Sequence, residues 1–222
     1  MFKAKEADVI ILTYNRKEFL LRILSILEQQ QGSSFNVIIT DDGTADPINP
    51  SKYKIIDKYI WAKDEGYGRV SALNCAIDLA VSKNIIILDD DCIPQKTSFV
   101  AGHVGALKEH DISPGRIFFP SDNAYCSGWA STANVGFNTK MIKDVGKFDP
   151  YLDGFYGQDD AMLALTLRKN GYTNRAEEHD DTLVHHIGAM YAGGDRSWDV
   201  VGHNTQYCID KFGIDPRKGV PW

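Results

Sequence analysis

Asp89-Asp90-Asp91 is the stretch best equipped for chemistry, set between the apolar run Ile85-Ile86-Ile87-Leu88 and Cys92-Ile93-Pro94. Three consecutive carboxylates repel one another unless a cation or strong donors sit among them. In an extended chain, side chains alternate, which directs Asp89 and Asp91 one way and Asp90 the other. The chemistry this suggests is a divalent cation on oxygen ligands. Magnesium or manganese held by one or two Asp keeps positions open for water and phosphate oxygens, so a phosphate-bearing substrate is the natural partner. The plainer alternative is a solvated turn that caps a helix starting near Thr97. Two further acidic pairs, Asp41-Asp42 and Asp159-Asp160, stand at a turn and at a helix start.

The elements that must position these groups follow from periodicity. Val9 to Leu12, Val37 to Thr40 and the run before Asp89 are short and apolar, as strands buried on both faces of a parallel sheet are. Between the first two, Phe19, Leu20, Ile23, Leu24 and Leu27 form one helical stripe that ends at Gly32. Helices are predicted over 69–82, 97–110, 140–145, 159–170 and 204–212, with carboxylates capping the fourth and Gly171 stopping it. Strands are predicted within 53–61 and at 117–119, 175–178 and 182–185. Trp129 to Phe137 reads as a strand or loop lining a cleft, and Gly188 to Gly194 as a glycine-rich lid. Strand, helix, strand with polar strand ends makes a βαβ unit, whose ligands belong at the carboxyl ends of the strands.

Length and composition narrow the class. A chain of 222 residues, 43% hydrophobic and 24% charged, suits one α/β domain over 1–222, with a nucleotide-binding half to about residue 95 and an acceptor-binding half beyond it. The net charge of −6 argues against a nucleic-acid polymer as ligand. The N-terminus lacks the apolar core of a secretory signal and no run is long enough to span a membrane, so a cytoplasmic protein is expected. Cys75, Cys92, Cys126 and Cys208 show no paired spacing and read as reduced thiols.

Five motifs in order carry a resemblance: Ile10-Ile11-Leu12-Thr13-Tyr14-Asn15-Arg16, Thr40 to Asp46, Gly66 to Asn74, Ile87 to Pro94, and Gly146-Lys147-Phe148-Asp149 through Gly157-Gln158-Asp159-Asp160 to Gly171-Tyr172. Together, over roughly residues 9 to 172, the chain resembles the inverting family 2 of glycosyltransferases. The resemblance implies the glycosyltransferase A fold, a Rossmann-like, mostly parallel central sheet flanked by helices. It also implies a nucleotide-sugar donor, UDP-linked by expectation, with Mn2+ or Mg2+. Thr13, Tyr14 and Arg16, with Asp41 or Asp42, look like the base and ribose pocket, and Arg69 like the basic residue near the diphosphate. Asn74 lies at a family-typical place on the helix. Asp89-Asp90-Asp91 looks like the D-x-D motif on the donor, Asp91 ligating the metal with Asp89 as a second ligand that also leans toward the ribose.

In the family, a carboxylate opening a helix behind a glycine-rich turn deprotonates the acceptor. The turn here is Gly154-Phe155-Tyr156-Gly157, and the base falls on Asp159 or its neighbour Asp160. Gln158, where the family has an acid, can bind a hydroxyl but cannot take its proton. A later His completes the metal set in several members. Only one of His185 and His186 can do so from a strand, and the ligand expected is His185. Trp129, Asn134 and Phe137 lie where the family lines its acceptor side. The acceptor class stays open among glycan, lipid-linked and protein hydroxyls. Two rivals stand against this reading. A sugar-1-phosphate nucleotidyltransferase would carry a glycine-rich basic loop after the first strand, where Leu12 to Arg16 has no glycine. A non-catalytic nucleotide-sugar or glycan-binding module would bind without turnover.

Overall fold

The computed structural model describes residues 4–63, 68–126, 131–188 and 198–218. Strand β1 (Ala7–Thr13) leads through helix α1 (Lys17–Leu27) to β2 (Phe35–Asp41), β3 (Ile56–Trp61) and helix α2 (Arg69–Leu79). Strand β4 (Asn84–Asp89) and the short β5 (Cys92–Pro94) flank the acidic triplet. Helix α3 (Phe99–Ala106), strands β6 (Ile112–Phe119), β7 (Ala124–Cys126) and β8 (Asn134–Asn138), and helix α4 (Thr139–Asp144) follow. The chain continues with α5 (Asp159–Lys169), β9 (His179–His186) and α6 (Trp198–Phe212).

The strands form one sheet in the order β3-β2-β1-β4-β8-β6-β9-β5, with β7 on β6. Pairing is parallel from β3 to β4; the apolar β1, β2 and β4 are buried on both faces, while β3, with Asp57 and Lys58, forms the edge. Beyond β4 it turns mixed: β8 runs antiparallel to β4 and β6, and β9 antiparallel to β5 but parallel to β6. The mostly parallel character therefore belongs to the first half. Alternation along the central strands feeds two cores. Ile10, Ile38, Ile85 and Ile87 pack under α2 and α5 with Leu73, Ile77 and Leu163. Val9, Ile11, Val37, Ile86 and Leu88 pack against Leu20, Ile23 and Leu24 of α1 and Phe99 and Val100 of α3.

Several local expectations shift. The 175–178 strand reduces to a single bridge from Arg175 to Ile112, and β9 begins at His179. No side chain caps α5. Its N-cap is Gln158, held in the left-handed region at φ 68°, and Gly171 at φ 85° ends it as predicted. Asn134 and Phe137 line no acceptor cleft, since both are fully buried. Asn134 Nδ2 donates to the Thr182 carbonyl at 2.8 Å, tying β8 to β9, while its Oδ1 lies 3.0 Å from His103 Nε2. Phe137 packs in the α2–α5 core. The two lie on opposite faces of a strand paired on both edges and covered on both sides, Asn134 toward α3 and Phe137 toward α2, which explains the small and polar pattern read as a cleft. Trp129, and residues 189 to 194 of the lid, lie outside the described residues.

Asn74 is structural. Its Nδ2 donates to the Phe148 carbonyl at 2.9 Å and its Oδ1 accepts from the Phe148 amide at 3.0 Å, so α2 holds the loop that leads toward α5. Asn74→Ala leaves two backbone groups without partners and is expected to cost about 1–3 kcal/mol, read as a lower urea midpoint.

His103 gives a pH-dependent term. Fully buried, with Ser113 Oγ 2.9 Å from its Nδ1, it is pulled by desolvation from 6.5 down to about 4. Between those values the unfolded chain binds a proton that the folded chain refuses, so stability rises with pH there and is lost as pH falls through 6.5 toward 4. The expected loss is up to about 3 kcal/mol. Urea unfolding at pH 7 and pH 4.5 should show a smaller pH effect in His103→Gln than in the wild type.

Candidate active site

Strand β4 ends at Asp89 and the chain turns at Asp90 and Asp91 before β5. The strict alternation expected of the triplet therefore fails, because the turn breaks the two-residue period. Asp89 points to α2, where Arg69 Nη1 donates to its Oδ1 at 3.1 Å. Asp90 and Asp91 instead share Arg16, whose Nη1 donates to Asp91 Oδ2 at 2.5 Å and to Asp90 Oδ1 at 3.3 Å. Asp90 also accepts from Thr13 Oγ1 at 2.6 Å. The first motif thus meets the triplet directly, at the adjacent ends of paired strands β1 and β4.

Arg69, the first residue of α2, is the hub. Besides Asp89, its Nε donates to Asp159 Oδ2 at 2.9 Å and its Nη2 to Thr132 Oγ1 at 2.9 Å. One planar guanidinium so joins the strand-end acid to the acid that opens α5, seventy residues further along the chain. Thr132 then contacts Asp160, which accepts from the Thr132 amide at 3.1 Å and from its hydroxyl. The two candidate bases thus part company: Asp159 faces Arg69, and Asp160 turns to the backbone beside β8.

Burial sets the charge state of this acid-rich cluster. Desolvation raises the Asp90 carboxyl to about 7, against the opposing hydrogen bond from Thr13. Asp160 is likewise pushed up to about 7, first by burial and next by the Asp159 charge. Asp89 is raised by burial, with Arg69 pulling the other way. Carboxylates that are costly to ionise together are what a bound cation would relieve.

The Asp41-Asp42 pair divides in role. Asp41 is buried, accepting from the Thr44 amide at 2.8 Å and the Tyr59 hydroxyl at 2.5 Å, so both of its oxygens serve the turn. Asp42 is half-buried and accepts from the Gly68 amide at 3.0 Å, one residue before Arg69. Tyr14 is 45% exposed beside it in the strand-end row. Of the pair, Asp42 is the less buried.

The later histidines correct an expectation. In the β5–β9 register Cys92 lies opposite His186 and Ile93 opposite His185. Residues directly opposite share a face of the sheet, so His186 joins Cys92 beside the triplet and His185 turns away. His186 Nε2 is 3.6 Å from Asp91 Oδ1, whereas the His185 ring packs 5.1 Å from that of Phe118. Asp91, Cys92 and His186 each offer a ligand atom, all within 4.8 Å of one another. Asp91 Oδ1 and His186 Nδ1 are buried without a hydrogen-bond partner among the described residues. An orphaned carboxylate oxygen beside an imidazole suits manganese better than magnesium, whose ligands are oxygens. Asp89, the second ligand expected, has its Oδ1 on Arg69 Nη1.

Thr132 and Cys92 carry no site role in the sequence, and Gly188 is read there only as the start of a lid. Nothing in a lone Thr marks it, but Cys92 follows Asp91 directly, and strand pairing puts it opposite a His. A Cβ on Gly188 would lie 1.9 Å from Asp91 Oδ2. Gly188→Ala therefore has to displace Asp91, and Mn2+ affinity, measured by EPR titration, is expected to fall about 10-fold or more.

The sequence model described as "Glycosyl transferase family 2" matches residues 8–163, most of the chain, including the ends of β1, β2 and β4 and the start of α5. The chain belongs to glycosyl transferase family 2. Among its relatives in this family, it is 31% identical over 109 residues to the hyaluronan synthase of Pasteurella multocida, covering 47% of this chain and 11% of that one. It is 34% identical over 107 residues to the validoxylamine A glucosyltransferase of Streptomyces hygroscopicus, covering 44% and 25%. The chain thus spans a quarter or less of the length of these curated relatives. Among solved structures, a mannosyltransferase of Pyrobaculum calidifontis, described in complex with GDP-Man and Mn2+, superposes with a TM-score of 0.71 at 18% identity, covering 99% of this chain and 68% of that one. S. aureus TarS in complex with UDP-GlcNAc gives 0.69 at 14% identity, covering 92% and 67%. These likenesses identify the fold as that of the glycosyltransferase A enzymes.

Proposed function

We propose that this family 2 member transfers a sugar from a nucleotide donor to an acceptor hydroxyl with inversion. The observation that carries the reading is the Arg69 guanidinium joined to both Asp89 and Asp159. It brings a cation suited to a diphosphate within one side chain of a carboxylate suited to take a proton. Thr13, Tyr14, Arg16 and Asp42 form the donor side, where base and ribose would lie. Asp91 and His186 would hold Mn2+ or Mg2+, and such an ion would offset the charge on the departing diphosphate. Asp89 and Asp90, fixed by Arg69, Thr13 and Arg16, keep the donor side ordered.

Asp159 is the base: it accepts the proton from the acceptor hydroxyl, and inversion requires attack from the face opposite the leaving nucleotide. Asp160, held on Thr132, positions the first turn of α5. UDP is the first donor nucleotide to test, supported by the TarS complex with UDP-GlcNAc. A guanine nucleotide is the second reading, favoured by the Pyrobaculum complex with GDP-Man. Isothermal titration of UDP and GDP, each with Mn2+ and with EDTA, tests the reading. One nucleotide is expected to bind at least 10-fold more tightly with Mn2+, and no binding by either contradicts it.

A further inference from the structure

The segment from Asp153 to Asp159 is pinned at both ends beside Arg69. Asp153 accepts from the Val70 and Ser71 amides at 2.9 and 3.0 Å, on the first turn of α2, and Asp159 accepts from Arg69 itself. Its middle is fixed from α6, where the fully buried Asn204 Nδ2 donates to the Phe155 carbonyl at 3.3 Å and the Gly157 carbonyl at 2.8 Å. Phe155 therefore stands four residues from the base on a turn held at three points, yet its own side chain is 37% exposed.

Phe155 is also the end of a stack. The His203 ring lies against it at 3.9 Å with planes 18° apart. Tyr151, 52% exposed, lies beyond His203 at 5.6 Å and 14°, and Tyr207 stacks on Tyr151 at 4.1 Å. His203 covers one face of Phe155, so its exposure falls on the other face and the rim. Burying such a face in core is the usual fate of a Phe; here it is propped by the stack and left exposed on the turn that leads into Asp159. The far end of the stack is fixed as well, since Asp149 accepts from the Tyr207 hydroxyl at 2.8 Å and from Lys211 at 2.5 Å.

We infer that Phe155, backed by His203 and Tyr151, is the platform for a pyranose ring of the acceptor. A sugar ring presents a face of C–H groups that packs on an aromatic face, and a rim of hydroxyls that suits polar neighbours. A stack prevents the platform ring from tilting, which matters four residues from the group that takes the proton. The occupant is a carbohydrate because an open aromatic face is suited to the C–H face of a sugar ring, and this inference rests on the transfer reaction proposed above.

The test uses chitotetraose, cellotetraose and a hyaluronan tetrasaccharide as probes in saturation-transfer NMR, with UDP and GDP binding in Mn2+ measured on the same samples. The wild type is expected to bind at least one oligosaccharide. Phe155→Ala should weaken it about tenfold, Phe155→Trp should keep it, and both should bind the nucleotide as the wild type does. Failure of all three probes with the wild type, or equal binding by Phe155→Ala, overturns the platform. Oligosaccharide binding that depends on Phe155 in a protein that binds neither nucleotide upholds the platform and sinks the transferase reading, so the two failures are distinct.

Discussion

Asp159→Asn is expected to lower the rate of sugar transfer by about 10²–10⁴-fold, with nucleotide affinity within a few-fold of the wild type. Asn keeps the size of the side chain and an oxygen for Arg69 Nε, so the fold around the hub survives. What it loses is the ability to take a proton as the acceptor oxygen attacks. The neighbouring acid makes the contrast: Asp160 is bound to Thr132 and raised to about 7 by burial, so Asp160→Asn should cost far less in rate. A single-turnover assay of both variants separates the base from its neighbour. Equal losses in the two would show that the pair acts as one unit or that the assignment is reversed.

The second large effect concerns the metal, and it turns on adjacent residues. His186→Ala is expected to weaken Mn2+ binding by at least 10–100-fold, while His185→Ala leaves it nearly unchanged, as measured by EPR titration. The reason is the pleat. His186 is opposite Cys92 on β5 and 3.6 Å from Asp91, and His185 packs on Phe118 with its ring on the other side of β9. Loss of metal in His185→Ala with retention in His186→Ala would reverse the assignment. His186→Ala should also remove most of the Mn2+-dependent gain in nucleotide affinity.

That pair also shows where a sequence stops being legible. The apolar runs ending in Thr13, Asp41 and Asp89 are buried on both faces, and periodicity alone placed them in a parallel sheet with their ends in a row. The cluster at those ends follows from that row. The face of a residue on β9 depends instead on which strand it pairs with and in what register, and β5 is only three residues long. No local pattern carries that information. The turn at Asp90 and Asp91 is a similar case. The alternation rule holds while the chain is extended, and here the chain leaves the strand at Asp89, so two acids expected on opposite faces share Arg16. Asn134 misled for a third reason. A small polar residue in a strand looks like a cleft lining when its partner, the buried His103, is a helix residue thirty-one positions earlier.

Arg69 is the opposite example. Its place on the first turn of a helix was readable, but its weight comes from geometry: three of its nitrogens reach three different segments of the chain. Lys in its place has one donor group and cannot span them, which is why Arg69→Lys is no conservative change here.

The measurement that bears most directly on the claim that this cluster transfers sugar is release of nucleoside diphosphate. UDP- and GDP-sugars would be incubated with the oligosaccharide probes and Mn2+, alongside EDTA controls and the Asp159→Asn variant. The account predicts that one nucleotide sugar yields its diphosphate together with a lengthened oligosaccharide, and that EDTA or Asp159→Asn stops both. Pyrophosphate exchange with a sugar 1-phosphate in place of that release, or tight nucleotide-sugar binding with no product from any donor, would contradict it.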